Sequence, residues 1–412
     1  NNYIFIYIML SEGSKELSSY LKGINLNKKR GGIKKIAGEL FNDMKESGKF
    51  IQSINDNEHS RLINVNHVND IPKPDNFENT TFFPNTISTE ILNKTEYVYC
   101  YQYNILDREV RLYFGLENNK DISLIDDYKS RILMWLYIVN LYSSKKCSKY
   151  LDIYIYLNRQ EKKLPTGGLD VLSPIHVNSA YTSCCSERSE IVIFRKEEWF
   201  KVFIHETMHN FGLDFCGIEN KKMKKMMKNV FQIQSTMLMY ESYCEFWGTI
   251  INSMFISYLS KKNITKDDFI TKSIKNIESE VLFSLFQMNK ILDHMGLEYE
   301  DLYENEENNI VKRNYLYKED TNVFAYYIIK TILLYHYDDF FKWCKTNNLD
   351  LINFKKTNKN IELFCEFIVN NYENKDFMEH YTKLGLVFEN LKNKRGNKVL
   401  INTTKMSLLE MK

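Results

Sequence analysis

The chain has 412 residues, 44% hydrophobic and 26% charged, with a net charge of +2. That provides apolar material for a sizeable core, and no global field that would argue for nucleic acid or an anionic membrane as partner. No apolar run reaches the length of a membrane-spanning helix. Aromatic residues are frequent, with 28 Tyr and 26 Phe, and Pro is scarce at 5. The eight cysteines are Cys100, Cys147, Cys184, Cys185, Cys216, Cys244, Cys344 and Cys365. None forms a C-x-x-C pair, and eight over this length is no disulfide scaffold. The expectation is therefore unpaired thiols in a reducing, cytoplasmic compartment.

The first ten residues, NNYIFIYIML, are apolar but lack a basic start and a small-residue cleavage site, so no signal peptide is predicted. Residues 1–90 are weakly patterned, with a helix expected near 33–55 and otherwise irregular chain. "EYVYCYQYNIL" and "REVRLYFGLE" alternate around Asp107 and predict a hairpin. Helical apolar spacing follows over 126–146, then a strand at 151–158 and a loop with Pro165, Gly167 and Gly168. "HVNSAYT" (176–182) and "EIVIFR" (190–195) read as short strands. Helix resumes at about 196 through "KEEWFKVFIHETMHNFGLDF", a Lys- and Met-rich surface helix is expected at 219–229, and a further helix over 239–260. Helices joined by polar loops fill the chain to about 392, and 393–412 is expected to be a loose tail. There is no internal repeat.

Within the first of these helices His205-Glu206-Thr207-Met208-His209 is H-E-x-x-H. Residues four apart on a helix lie on one face, and two imidazoles at that spacing can share one Zn²⁺ at about 2.0–2.1 Å. Glu206 points beside the metal, where it can act as general base toward a zinc-activated water. The flanks Trp199, Phe200, Val202, Phe203, Ile204, Phe211 and Leu213 cover most of the circumference, so the helix is expected to be buried. Buried imidazoles and a carboxylate need partners; a metal supplies them, and a hydrogen-bonded core pair is the bland alternative.

A catalytic zinc takes three protein ligands. The metzincin pattern requires His ten residues after the first; Gly212 is present, but the ligand position is Phe215, and Asp214 is one residue off. The third ligand is expected instead in "LMYESYCEFWGTIINSMFISYLS". There Glu241, Glu245, Gly248 and Asn252 form a stripe at helical spacing, and the two glutamates are the only charges from 240 to 260. Like charges four apart repel, and a solvated face in this chain would carry Lys. The stripe is therefore expected to face something positive inside the protein.

With H-E-x-x-H on one helix and E-x-x-x-E on a later one, the sequence resembles the gluzincins, the thermolysin-like branch of zinc peptidases. The resemblance implies one Zn²⁺ per chain held by His205, His209 and Glu241, with Glu206 as general base. It also implies Glu245 as the residue that hydrogen-bonds a ligand His, although this chain has Glu where the thermolysin-like form has Asp. It further implies an edge strand before the metal helix that pairs with an extended polypeptide substrate, with Asn178 and Ala180 reading its backbone. Residues 176–260 and "TNVFAYYIIKTILLY" also resemble an uncharacterised zinc-peptidase-like group of large DNA viruses, which implies the host cytoplasm or the virion as location. The oxyanion needs a donor, for which Tyr326, Tyr327 and His336 stand downstream.

His176 reads as a surface or satisfied residue. Cys184-Cys185 reads as a pair without a metal or redox role, and Cys216 and Cys244 as small apolar residues. The lysines of 221–228 read as a solvated helix face. The expected fold is α+β: a zincin-like catalytic lobe over 91–260 with a small mixed or antiparallel sheet packed on the H-E-x-x-H helix, a helical lobe over 261–392, an N-terminal appendage over 1–90, and the tail. Two other functions fit the same residues. One is a virion-associated structural or packaging protein with a four-ligand zinc staple, and the other is a non-catalytic interaction protein.

Overall fold

The computed structural model describes residues 12–26, 30–54, 60–77, 81–118, 122–394 and 398–411. The first eleven residues, apolar in sequence, lie outside it. Helices α1 (Glu12–Leu21) and α2 (Gly31–Gln52) open the described chain. They are not an appendage: Ile33, Ala37 and Leu40 of α2 are fully buried in the main apolar cluster. Strand β1 (Ser60–Asn64) and helix α3 (Asn85–Lys94) precede the hairpin of β2 (Tyr97–Ile105) and β3 (Arg108–Leu116), which turns at Leu106 and Asp107 as the alternation predicts. Helix α4 (Ile122–Tyr142) crosses to β4 (Tyr150–Asn158), which lies parallel to β3.

The segment expected as one strand over 176–182 divides. Pro174 occupies the first position of a helical turn, α5 (Pro174–Val177), where its fixed φ and missing N–H are tolerated. Only β5 (Ala180–Thr182) is extended. β5 runs antiparallel to β6 (Arg188–Arg195), and β6 runs parallel to β4. The result is one mixed six-stranded open sheet in the order β1-β2-β3-β4-β6-β5, with β5 at an edge. Period-two alternation splits its residues between two faces. Ile153, Ile155, Ile191 and Ile193 join the main core, while Tyr154, Tyr156, Val192 and Phe194 pack with Phe77, Phe83, Ile87 and Ile91 on the other side.

Helix α6 (Trp199–Asn210) follows β6 and has all twelve residues buried. It is shorter than the 196–215 expected, for local reasons. Glu198 before it has φ +56°. After it Gly212 has φ +66°, the Leu213 N–H reaches Met208 O (2.8 Å) and the Gly212 N–H reaches His209 O (3.0 Å). That is a Schellman stop, which favours glycine at its left-handed residue. The rest is helical: α7 (Lys221–Val230), α8 (Met239–Leu259), α9 (Lys266–His294), α10 (Glu307–Leu316), a π-helical turn Phe324–Ile329 running into α11 (Lys330–Tyr335), α12 (Tyr337–Asn347), α13 (Asn358–Val369), α14 (Lys375–Lys392) and α15 (Lys398–Asn402). No described helix is long and apolar enough to cross a membrane.

Two expectations fail outright. The end of the chain is no loose tail, since Thr404, Met406, Ser407 and Leu408 are buried. Four cysteines pair, Cys147 with Cys185 and Cys184 with Cys216, at Cα separations of 4.8 and 6.4 Å, both within the range of disulfides. Cysteine counting cannot see either pair, because each joins residues more than 30 positions apart that only the fold brings together.

Candidate metal centre

The buried helix α6 is fixed in rotation from its far side. The Trp135 indole of α4 donates to Thr207 Oγ1 (2.6 Å). That turns His205, Glu206 and His209 toward a cavity of about 240 Å³ bordered by β5, α8 and the π-helical turn. On α8, the stripe of Glu241, Glu245 and Gly248 lies against α6. A side chain at Gly248 would meet Lys201 O at 3.3 Å and His205 Cβ at 3.5 Å, so glycine lets the two helices approach closely. Asn252, the last member of the stripe, donates to Leu409 O (3.1 Å).

Glu241 and Glu245, one turn apart, straddle the His205 ring. Glu245 Oε2 accepts from His205 Nδ1 (3.0 Å) and its other oxygen pairs with the ammonium of Lys201, both side chains 2% exposed. Burial alone would raise the Glu245 carboxyl, but Lys201 and the His205 hydrogen bond hold it well below the usual carboxylate range. His209 is held from behind by Asp214, whose Oδ2 lies 2.5 Å from Nδ1. The Cys244 thiol sits 3.5 Å from the same carboxylate oxygen. Gly212 reverses the chain so that Asp214 can swing back, which accounts for both residues of the failed metzincin pattern.

With each Nδ1 directed at a carboxylate, both Nε2 atoms face the cavity and, once deprotonated, offer lone pairs to a metal. They lie 3.1 Å apart, and Glu241 Oε2 lies 3.2 Å from one and 3.4 Å from the other. A tetrahedral zinc with bonds of about 2.0–2.1 Å places its ligand atoms roughly 3.3–3.4 Å apart. The three donor atoms lie at the spacing of ligands on a zinc tetrahedron, so the donor set fits the metal. Burial would raise the Glu241 carboxyl, and His209 and His205 overcome that and hold it low. Among the described residues a second grouping of His209, Asp214 and Cys244 could also hold a metal. It uses the Nδ1 face, is wholly buried, and is already satisfied internally by the contacts just described.

Glu206 lines the cavity beside this trio and is 8% exposed. Burial pushes its carboxyl up, offset only in part by the two histidines. Tyr326, in the π-helical turn, donates to Glu241 Oε2 (2.9 Å) and lies edge-on to His205. Tyr240 lies edge-on to His209 and also borders the cavity. Tyr327 and His336 are not brought to the site. The Tyr327 hydroxyl donates to Thr404 O, and the His336 ring packs on Tyr335 and Phe377. His176 accepts from Ser173 N–H at 3.1 Å and caps α5.

Along the sheet edge, Asn178 has its N–H on Pro174 O and its carbonyl on Arg195 Nε, so its backbone is committed. The Phe194 N–H reaches Ser179 O. By the alternation of an antiparallel ladder, the backbone groups of Ala180 and Thr182 then face away from β6, toward the open edge.

Sequence reasoning missed Lys201, Tyr240 and the paired Cys184 and Cys216, all of which border the cavity. Lys201 had a usable signal: it is one turn before His205 on a helix otherwise apolar up to the motif. No family model, no curated protein and no solved structure matches this chain.

Proposed function

We propose that this protein is a zinc-dependent peptidase of the gluzincin kind, binding one Zn²⁺ through His205 Nε2, His209 Nε2 and Glu241. The observation that carries the reading is the convergence of these three donor atoms at tetrahedral spacing, on the wall of a cavity that also holds Glu206 and an open sheet edge. Three ligands rather than four favour a site with an open position over a structural staple. Zinc, when bound, supplies polarisation of the scissile carbonyl and a more acidic water.

The chain does the rest. Glu206, buried and with its carboxyl pushed up, accepts a proton and delivers it to the leaving amine. Tyr326 exchanges its hydrogen bond from Glu241 to the developing oxyanion. An extended polypeptide pairs with the edge at Ala180 and Thr182. The zincin-like reading of the 91–260 region is supported by that antiparallel edge strand alongside the metal helix. Two disulfides fit an oxidising milieu better than the reducing cytoplasm that the cysteine count implies.

Elemental analysis of purified wild type and Glu241→Ala tests the metal. One zinc per chain, much reduced in the variant, is expected; equal zinc in both refutes the ligand set. Cleavage of a peptide pool by wild type, lost by a factor of about 10²–10⁴ in zinc-loaded Glu206→Gln, tests the chemistry.

A further inference from the structure

The segment 403–411 passes the start of α6 with bends at Met406 and Leu408, and from Met406 to Leu409 its backbone is held by buried side chains. The Met406 and Ser407 N–H groups donate to Glu198 Oε1 at 2.9 and 2.5 Å. Lys330 Nζ donates to Met406 O at 2.8 Å, and the Leu408 and Leu409 N–H groups donate to Glu280. Charged partners on both the N–H and the C=O of one residue give short, strong hydrogen bonds, so the Met406 backbone cannot drift. Glu198 itself sits at φ +56°, a left-handed conformation that a glutamate keeps only when its surroundings impose it. Its carboxylate does not cap its own helix but serves this segment.

The clamp aims one side chain at the cavity. Met406 borders it together with Val177 and Val202, and its sulfur lies 3.9 Å from Lys201 Nζ. The position of that corner relative to a substrate follows from the chain directions. The Asn210 amide donates to Thr182 Oγ1 (3.0 Å) and the Cys185 N–H to His209 O (3.2 Å), so the end of β5 meets the end of α6. A peptide paired antiparallel to β5 therefore runs from the His209 end toward the Val202 end. On this antiparallel pairing, the residue after the scissile bond is the one that would reach Met406.

We propose that Met406 sets the size of the side chain accepted on the leaving-amine side of the scissile bond, the C-terminal segment being the fixed wall of that subsite. This rests on the peptidase reading. A long, unbranched thioether adapts its shape, while the branched Val177 and Val202, which border the same cavity, are stiffer. Shortening or enlarging residue 406 then changes the space without touching the metal ligands or Glu206.

The test uses the full chain, zinc-loaded, as wild type, Met406→Ala and Met406→Phe. Two peptides differ only in Ala or Phe after the cleaved bond. The Phe-over-Ala ratio of kcat/KM is expected to rise about tenfold in Met406→Ala and to fall by a similar factor in Met406→Phe. Because both substrates meet the same preparation, a general loss of activity cancels. The ratio of dissociation constants for the two peptides, measured in the Glu206→Gln background, is expected to shift in the same directions. Zinc-loaded variants that keep the wild-type ratios overturn the role of Met406 and leave the peptidase reading standing. A zinc-loaded wild type that cleaves no peptide overturns the peptidase reading and this inference with it.

Discussion

Replacing Glu245 by Gln keeps the volume of the side chain and removes one buried charge. Lys201, 2% exposed and paired with that carboxylate, is then left as an ammonium without its counterion. Breaking a buried pair by removing one partner costs about 3–5 kcal/mol. Lys330 adds to the cost, because Glu245 is among the charges that support it and burial already pushes its ammonium down to about 8. The same substitution leaves a neutral amide opposite His205 Nδ1, and losing such a partner typically costs roughly 10–100-fold in metal affinity. Urea unfolding of metal-free protein measures the first quantity, and competition with a chromophoric zinc chelator the second. The double variant Lys201→Met/Glu245→Gln separates them. With neither charge buried, it is expected to recover at least half of the lost stability while keeping the weakened zinc affinity. A single variant that unfolds at the wild-type urea midpoint, or a double variant no more stable than the single, refutes the claim that Lys201 and Glu245 stabilise the site as a pair.

Lys330 carries a pH dependence of its own. Its folded pKa of about 8 lies below the usual lysine value near 10.4. Between the two, the unfolded chain binds more protons, so this group makes stability rise with pH over that window. Subtracting the stability–pH curve of Lys330→Met from that of wild type is expected to leave this rise, and a flat or falling difference refutes the assignment. The disulfides predict four titratable thiols per chain in denaturant without reductant, from Cys100, Cys344, Cys365 and Cys244. Eight would show that the pairs at Cys147–Cys185 and Cys184–Cys216 do not form.

Much of the site was legible in the residues. Four-residue spacing put His205 and His209 on one face, and the uncompensated stripe of Glu241 and Glu245 pointed inward because a solvated face in so Lys-rich a chain would carry Lys. Both glutamates do lie against that helix, beside His205 and, at Glu245, Lys201. Other residues gave no such signal. Asp214 could be dismissed as one residue out of register, since its role depends on Gly212 reversing the chain behind it. Tyr326, Tyr327 and His336 were equivalent in sequence. Only the π-helical turn separates them, directing Tyr326 to Glu241 and Tyr327 to the C-terminal segment.

By itself the sequence determined what repeats over short range: the H-E-x-x-H helix, the inward glutamate stripe, the hairpin about Asp107 and the alternating strands. These depend on 3.6- and 2-residue periods, which are local. The tertiary structure alone decided the pairing of Cys147, Cys184, Cys185 and Cys216, the partner of His209, and the fate of residues 403–411. Each of these turns on contacts the local periods do not record, most of them between residues far apart in the chain. The segment after Asn402 is polar enough to read as solvated tail. It is buried because Glu198, Glu280 and Lys330, more than 70 residues away, supply the hydrogen bonds that its own backbone cannot make locally.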